Sequence, residues 1–313
     1  MSYIVTGGSG FIGSHIVETL LNNNEHVIVI DNLATGKIVN IQEFRQNPNL
    51  EYINGSITDL PLLQKLFTED VDGIFHEAAI PSVQRSVENP IASNEANITG
   101  TLNVLVAARD AGIRKVVFAA SSSAYGDTPT LPKVETMPAT PLSPYALTKY
   151  TCEQYCHLFS ELYGLQTACL RYFNVYGPRQ DPNSNYAAVI PKFITTILKK
   201  ESPIVHGDGL TSRDFTFVKD VVQANLKAMQ SDAQGVYNIA YGQRTTLNEL
   251  AQMIMDITGN QVDLQYDAPR VGDVKHSLAD ITKAQSSFGY TPEYSIRKGL
   301  EVTIEWFKNQ SKI

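Results

Sequence analysis

Cysteine is scarce in this chain, with Cys152, Cys156 and Cys169 the only three in 313 residues. An odd count without a regular framework argues against structural disulfides and for reduced thiols. Cys152 and Cys156 lie one helical turn apart with His157 beside them. No further ligands follow at matched spacing, so helix packing is expected there and no metal site. Positive charge is also short: 25 Lys and Arg against 32 Asp and Glu leave a net charge of -7. That balance argues against nucleic acid or an anionic membrane surface as the main partner. Any phosphate site must then be local, built from backbone N–H groups and a few arginines. No apolar run approaches the roughly 20 residues that span a bilayer. The opening "MSYIVTGGSG" shows no basic leader or cleavage site, so a cytoplasmic location is expected. Internal repeats and low-complexity tracts are lacking. What is present is ordinary globular composition, 43% hydrophobic and 18% charged, in a chain long enough for two lobes.

The first informative stretch is "YIVTGGSGFIGSHIVETLL", which reads as a strand, a glycine-rich turn and an amphipathic helix. "HVIVIDNL" follows as a second buried strand. Gly7, Gly10 and Gly13, with Gly8 as an extra, let the backbone approach a pyrophosphate and let the helix pack close to the strand. The helix N-terminus then turns its N–H groups on the anion. Asp31 lies 18 residues past Gly13, at the end of the second strand. A carboxylate there accepts hydrogen bonds from ribose hydroxyls and repels a 2′-phosphate, which favours NAD over NADP.

More short apolar strands alternate with helical segments: "LEYING", "GIFHEAA", "KVVFAASSS" and "TACLRYFNVYG". This alternation predicts an α/β fold, a Rossmann-type doubly wound parallel sheet. Ligands of such sheets bind beyond the carboxyl ends of the strands. Residues 77–85, 121–123 and 174–180 are therefore the candidates for chemistry. Residues 1–174 are expected to form the dinucleotide-binding domain. Residues 175–313 are expected mainly to form a smaller α/β substrate-binding lobe, with 215–242 packing back onto the first. No Pro/Gly/Ser linker separates the two.

Within "PLSPYALTKYTCEQY", Ser143 suits an N-cap and Pro144 a first helical position. Tyr145 and Lys149 then share one helical face within contact range. Taken alone, this stretch fits an ordinary amphipathic helix equally well.

Seven segments together carry a resemblance: "TGGSGFIG", "HEAAIPSVQRS", "ASSSAYG", "SPYALTK", "RYFNVYGPRQDP", "SRDFTFVKDVV" and "RVGDVKHSLADITKA". In this order, over nearly the whole chain, they resemble the extended short-chain dehydrogenase/reductase family. Within it they look most like the nucleotide-sugar 4-epimerases, those of bacterial surface-polysaccharide pathways acting on UDP-N-acetylglucosamine above all. The resemblance implies a tightly held NAD, a UDP-sugar substrate and inversion at C4 through a transient 4-keto sugar. It assigns the catalytic group to Ser121, Tyr145 and Lys149. Tyrosine ordinarily stays protonated at neutral pH, so a nearby cation is what its use as a proton carrier requires. The cofactor would be held by Gly7, Gly10, Phe11, Ile12, Gly13, Asp31, Asn32, Ser56, Ile57, Ala78, Ala79, Asn97 and Tyr172, together with Tyr145 and Lys149. The substrate would meet Ser82, Arg85, Ser122, Ser123, Asn174, Gln180, Ala188, Val189, Arg213, Arg270, Asp273 and Ser277, together with Ser121. Arg213 and Arg270 suit the phosphates through the guanidinium fork, and Asp273 resembles a uridine-ribose ligand. A homodimer through a four-helix interface, including the helix of Tyr145, is implied as well.

The resemblance also bears on the sugar. Ser277 stands where hexose-restricted epimerases carry a bulky tyrosine, and Ser122 and Ala188 match small pocket positions. Space beside C2 would admit an N-acetyl group, while UDP-glucose and UDP-galactose still fit. Three positions depart from the family pattern. Ser56 replaces an Asp that commonly meets adenine, although Ile57 still offers its backbone. Pro81 lies in a loop that varies among relatives. Glu77 is an unusual acid beside the cofactor, and the sequence gives no account of its charge.

Rival chemistries leave marks that are missing here. Dehydratases carry an Asp-Glu pair after the catalytic threonine, and decarboxylases a Glu two before the Tyr of Tyr-Gly. Ser122 and Ser123 occupy those places and cannot do such acid–base work. A serine-protease arrangement lacks a poised His and acid. A 4-epimerase of a UDP-uronic acid and a catalytically silent NAD-binding regulator remain as alternatives.

Overall fold

The first strand, β1 (Ser2–Thr6), buries both faces: Tyr3 and Val5 join one apolar cluster and Ile4 another. That pattern belongs to a parallel strand covered by helices on both sides. The computed structural model describes residues 1–182, 188–269 and 274–310. Its central sheet has seven strands. β2 (His26–Asp31) and β3 (Leu50–Asn54) lie to one side of β1. β4 (Gly73–His76), β5 (Lys115–Ser121), β6 (Gln166–Tyr172) and an edge strand at Gly235–Ile239 follow on the other. Every neighbouring pair is parallel. The strand order therefore reverses between β1 and β4, which opens the crevice where such sheets take ligands.

Helix α1 (Phe11–Asn22) covers one face of the sheet. The opposite face carries α2 (Leu60–Leu66), α5 (Gly100–Asp110) and α6 (Pro144–Tyr163), with the short α3 (Val83–Glu88) and α4 (Pro90–Asn94) beside them. All three cysteines are free and buried in this second layer, where they act as small apolar packing groups. A separate cluster holds α7 (Val189–Leu198), α9 (Leu247–Thr258) and α11 (Ile296–Gln310). Three two-stranded pairs complete that region: β7 (Val175–Tyr176) with β10 (Thr216–Phe217), β8 (Ile204–His206) with β13 (Gln265–Asp267), and β9 (Ser212–Arg213) with β12 (Thr245–Thr246). The chain crosses back between these regions. α8 (Val218–Gln230) packs against α1, and the edge strand after it, β11, joins β6. α10 (Thr282–Phe288) packs on β11. Among the described residues no helix is long and apolar enough to cross a membrane.

The sequence suggested one strand over "TACLRYFNVYG". The structure breaks it after Tyr172, because Asn174 takes φ +35 and its amide donates to the Asp214 carbonyl at 3.2 Å and to Ser277 Oγ at 3.3 Å. Asparagine tolerates that backbone region better than most residues. The break frees the carboxyl end of β6 to face the crevice.

Candidate active site

The glycine turn after β1 is as close as backbone can come. Gly7 has φ +71, and a Cβ on it would lie 2.7 Å from the Ala78 nitrogen. A Cβ on Gly13 would lie 2.2 Å from the Gly7 carbonyl oxygen. No side chain caps the start of α1, so its first turn is left to meet an anion. Asp31 ends β2. Its Oδ2 accepts from the Ser9 N–H at 2.9 Å and its Oδ1 from the Leu33 N–H at 2.7 Å. Burial pushes its carboxyl up, and those two N–H groups oppose the push.

These elements bound a groove of about 260 Å³ along the carboxyl ends of the strands. Gly7, Gly10, Phe11, Ile12 and Gly13 line it, with Asp31, Asn32, Ser56 and Ile57 on the β2–β3 side. Ala78 and Ala79 follow after β4, and Tyr145, Lys149 and Tyr172 close the β5–β6 side. Asn97 is the cofactor candidate that does not line it. Its side chain is 1% exposed and braces the loop after β4, accepting from the Ile80 N–H at 2.8 Å and donating to Thr148 Oγ1 at 3.0 Å. The glycine cradle, the uncapped helix start and the acid at the end of β2 fit a dinucleotide.

Helix α6 presents Tyr145 and Lys149 to this groove. Ser143 Oγ accepts from the Ala146 N–H at 3.1 Å, Pro144 begins the helix, and Gly164 ends it at φ +71. The Tyr145 N–H donates to Ser86 Oγ at 2.9 Å, which ties the helix start to α3. Lys149 Nζ donates to the Ala119 carbonyl at 2.8 Å and lies 4.9 Å from the Phe118 ring centroid. One turn further on, Glu153 accepts from Arg171 Nε at 2.9 Å and from Nη2 at 2.7 Å. Both partners are buried, and the Arg171 guanidinium stands 4.5 Å from the Tyr125 ring centroid. This pair clamps α6 to β6 and so fixes where Tyr145 and Lys149 stand. Burial raises the Glu153 carboxyl, and the bond from Arg171 opposes it.

A second cavity, of about 660 Å³, opens beside β7 and α7. Four of the substrate candidates, Asn174, Ala188, Val189 and Arg213, line it. Tyr176, Pro182, Lys192, Phe193, Thr195, Glu201, His206, Phe215 and Leu247 line it too, and sequence reasoning missed them. Six come from β7, α7, β8 and α9, and Pro182, Glu201 and Phe215 from the loops between elements. The one local signal is the polar face of α7, where Lys192 and Thr195 repeat at helical spacing.

Other candidates lie outside both linings. Ser121 ends β5, with its Oγ 2.8 Å from Ser123 Oγ and accepting from the Ser123 N–H at 3.2 Å, and Ser122 lies between them. Ser82 caps α3 from φ +99, accepting from the Arg85 N–H at 3.3 Å. Gln180 donates to the Val175 carbonyl at 3.2 Å, and its Oε1 is buried without a partner among the described residues. Ser277 stands behind Asn174, its N–H donating to the Ser212 carbonyl at 3.1 Å. Arg270 and Asp273 lie outside the described residues.

Glu77 is held in place by a hydrogen-bond chain. It lines the groove and accepts from Tyr172 OH at 2.7 Å, and that hydroxyl in turn accepts from Asn225 Nδ2 at 2.7 Å. Burial pushes the Glu77 carboxyl up to about 7, against the Tyr172 hydrogen bond and the charge of Lys149.

Comparison with known proteins agrees with this geometry. The NAD dependent epimerase/dehydratase family matches residues 3–240. A UDP-glucose 4-epimerase of Mycolicibacterium smegmatis is 36% identical over 314 residues, covering 100% of both chains. The solved structure of a UDP-N-acetylglucosamine 4-epimerase from Methanobrevibacter ruminantium, in complex with UDP-N-acetylmuramic acid, is 44% identical with a TM-score of 0.95, covering 99% of this chain and 98% of that one. A UDP-glucose 4-epimerase from Thermotoga maritima with UDP-glucose is 40% identical with a TM-score of 0.94, covering 99% and 100%. With its glycine cradle, the acid closing β2 and a family match across the whole sheet, the chain belongs to the NAD dependent epimerase/dehydratase family.

Proposed function

We propose that this protein is a UDP-sugar 4-epimerase, acting on UDP-N-acetylglucosamine and UDP-N-acetylgalactosamine and accepting UDP-glucose and UDP-galactose as well. One observation carries this reading: Tyr145 and Lys149 stand together on α6 at the far end of the dinucleotide groove from Asp31. NAD bound there supplies a reversible hydride acceptor. Tyr145 takes the C4 hydroxyl proton as the C4 hydrogen departs and returns it when C4 is reduced on its other face. Lys149 supplies the positive charge that favours the phenolate. Ser121 bridges the sugar oxygen to Tyr145. Asn174, Ala188, Val189 and Arg213 keep the nucleotide end in the second cavity while the keto sugar turns over. By resemblance, Arg270 and Asp273 add a phosphate and a ribose contact.

Ser277 sets the choice of sugar in this reading. Its Oγ accepts from Asn174 Nδ2 at 3.3 Å, and a tyrosine in its place would add a ring at that contact. A packed wall accommodates overlapping heavy atoms poorly. Ser277→Tyr is expected to lower kcat/KM for the N-acetylated pair by about tenfold to a hundredfold while changing the plain hexose pair far less. Initial rates on both UDP-sugar pairs, followed by sugar NMR, check it. Equal losses on both pairs contradict the gate. Conversion of UDP-glucuronic acid alone contradicts the substrate assignment, and no conversion of any UDP-sugar contradicts the activity.

The same helix supports a homodimer. Leu147, Leu158 and Leu162 on α6 are exposed, spaced for one stripe, and Ile91 on the adjoining α4 is exposed too. An apolar stripe on a long, well-capped helix suits helix packing with a second copy. The double variant Leu158→Glu, Leu162→Glu is expected to halve the mass seen by sedimentation. An unchanged mass contradicts this interface.

A further inference from the structure

The least expected feature of the groove is an acid. Glu77 follows β4 directly and lines the groove on the side where Tyr145 and Lys149 stand. Its side chain is held rather than loose, because Tyr172 OH donates to Oε1 at 2.7 Å. That hydroxyl is itself fixed by Asn225 Nδ2 at 2.7 Å, and Asn225 Nδ2 also donates to the Val221 carbonyl at 2.9 Å. The chain Glu77, Tyr172, Asn225 thus runs from the groove to α8 across the end of β6. Glu77 takes its hydrogen bond from Tyr172 on β6, and the charge of the Lys149 ammonium on α6 acts on its carboxyl. An acid and an ammonium therefore line the same groove.

We propose that Glu77 sets the redox balance of the bound nicotinamide: its carboxylate, buttressed by Tyr172 and Asn225, favours the oxidised, positively charged ring over the reduced, neutral one. The inference rests on the family's cofactor lying in this groove with its nicotinamide at the Tyr145 end, and not on the identity of the sugar. Reduction adds one hydride, two electrons with a proton, and removes the ring's positive charge. A fixed carboxylate near a charge that vanishes on reduction opposes that step, most strongly where water is scarce. Lys149 acts in the opposite sense, so helping Tyr145 ionise also makes the ring too ready to accept hydride. Glu77 offsets that effect. A carboxyl poised near neutrality by burial ionises readily once a cation arrives beside it. The consequence suits an enzyme with no net redox change: hydride borrowed from the sugar is returned rather than kept.

A simpler role is that Glu77 only holds Tyr172 in place. The two roles separate in Glu77→Gln, which keeps the size and the acceptor for Tyr172 OH and removes the charge. The measurement is the midpoint potential of the bound cofactor in the full-length protein. It is titrated with a reference dye couple and followed by the near-ultraviolet absorbance of the reduced ring, with no sugar present. Glu77→Gln is expected to raise the potential by about 30 mV or more, the two-electron equivalent of a tenfold gain in preference for the reduced form. A smaller shift, or a fall, overturns the proposal. Should the variant shed its cofactor, the ratio of dissociation constants for the oxidised and reduced dinucleotides gives the same quantity. It must move at least tenfold toward the reduced form. Glu77→Ala gives a second chain to measure if the amide folds poorly. Because no sugar enters the experiment, a failed shift leaves the epimerase activity intact, and a missing activity leaves the shift measurable.

Discussion

Tyr145→Phe is expected to cut kcat by about a thousandfold, within the range for losing a positioned proton carrier. The fold should survive, because the hydroxyl takes no part in the hydrogen bonds that seat the helix: the Tyr145 N–H bonds Ser86, and Ser143 caps the first turn. Cofactor retention should change little, since the glycine cradle and Asp31 lie at the other side of the groove. KM should stay within a few fold, because the proposed reading holds the nucleotide end of the substrate in the second cavity, away from Tyr145. Initial rates, circular dichroism and the absorbance of released dinucleotide separate these outcomes. A variant that keeps more than about a tenth of its rate rejects Tyr145 as the group that moves the proton.

The second large effect lies one turn along the same helix. Glu153→Gln removes one charge from a buried pair and leaves the Arg171 guanidinium without its counter-ion. Such a change costs about 3–5 kcal/mol, because the remaining charge is neither solvated nor paired. Arg171 is poorly placed to recover: its Nη1 already lacks a partner among the described residues, and its plane faces the Tyr125 ring. The loss is read from denaturant unfolding of the cofactor-loaded chain. Replacing both partners, Glu153→Leu with Arg171→Met, should cost clearly less than the single change, since no unpaired charge stays behind. A single variant within about 1 kcal/mol of the parent contradicts the clamp. The clamp also explains how so ordinary a sequence as "SPYALTKYTCEQY" can hold Tyr145 and Lys149 in place. Lys149 and Glu153 stand at i and i+4, one aimed at the groove and the other anchored on β6.

Much of the groove was legible because its signals are local. A strand, three glycines and an acid within one βαβ unit dictate a cradle wherever they occur. Backbone approach and helix start are properties of the segment itself. The register of Tyr145 and Lys149 followed from helical spacing and a proline. The second cavity was legible only in part. Asn174 and Arg213 announced themselves through motif likeness, whereas Phe193, His206 and Leu247 meet only after three helices and three short strand pairs have packed. The placing of Asn97 was hidden for a related reason. A polar residue placed near a groove can point into it or brace its wall, and only the partners Ile80 and Thr148 decide. Glu77 was the reverse case. Its position was plain, but its charge had no meaning until Tyr172, more than ninety residues away in sequence, was found donating to it.

The most direct test of the account follows one hydrogen. UDP-N-acetylglucosamine carrying deuterium at C4 is incubated with the protein in ordinary water, without added cofactor, and both sugars are analysed by NMR. The expected product is UDP-N-acetylgalactosamine with the deuterium still at C4, since the hydride leaves and returns without meeting solvent. Product that has exchanged its label for a solvent hydrogen would contradict it.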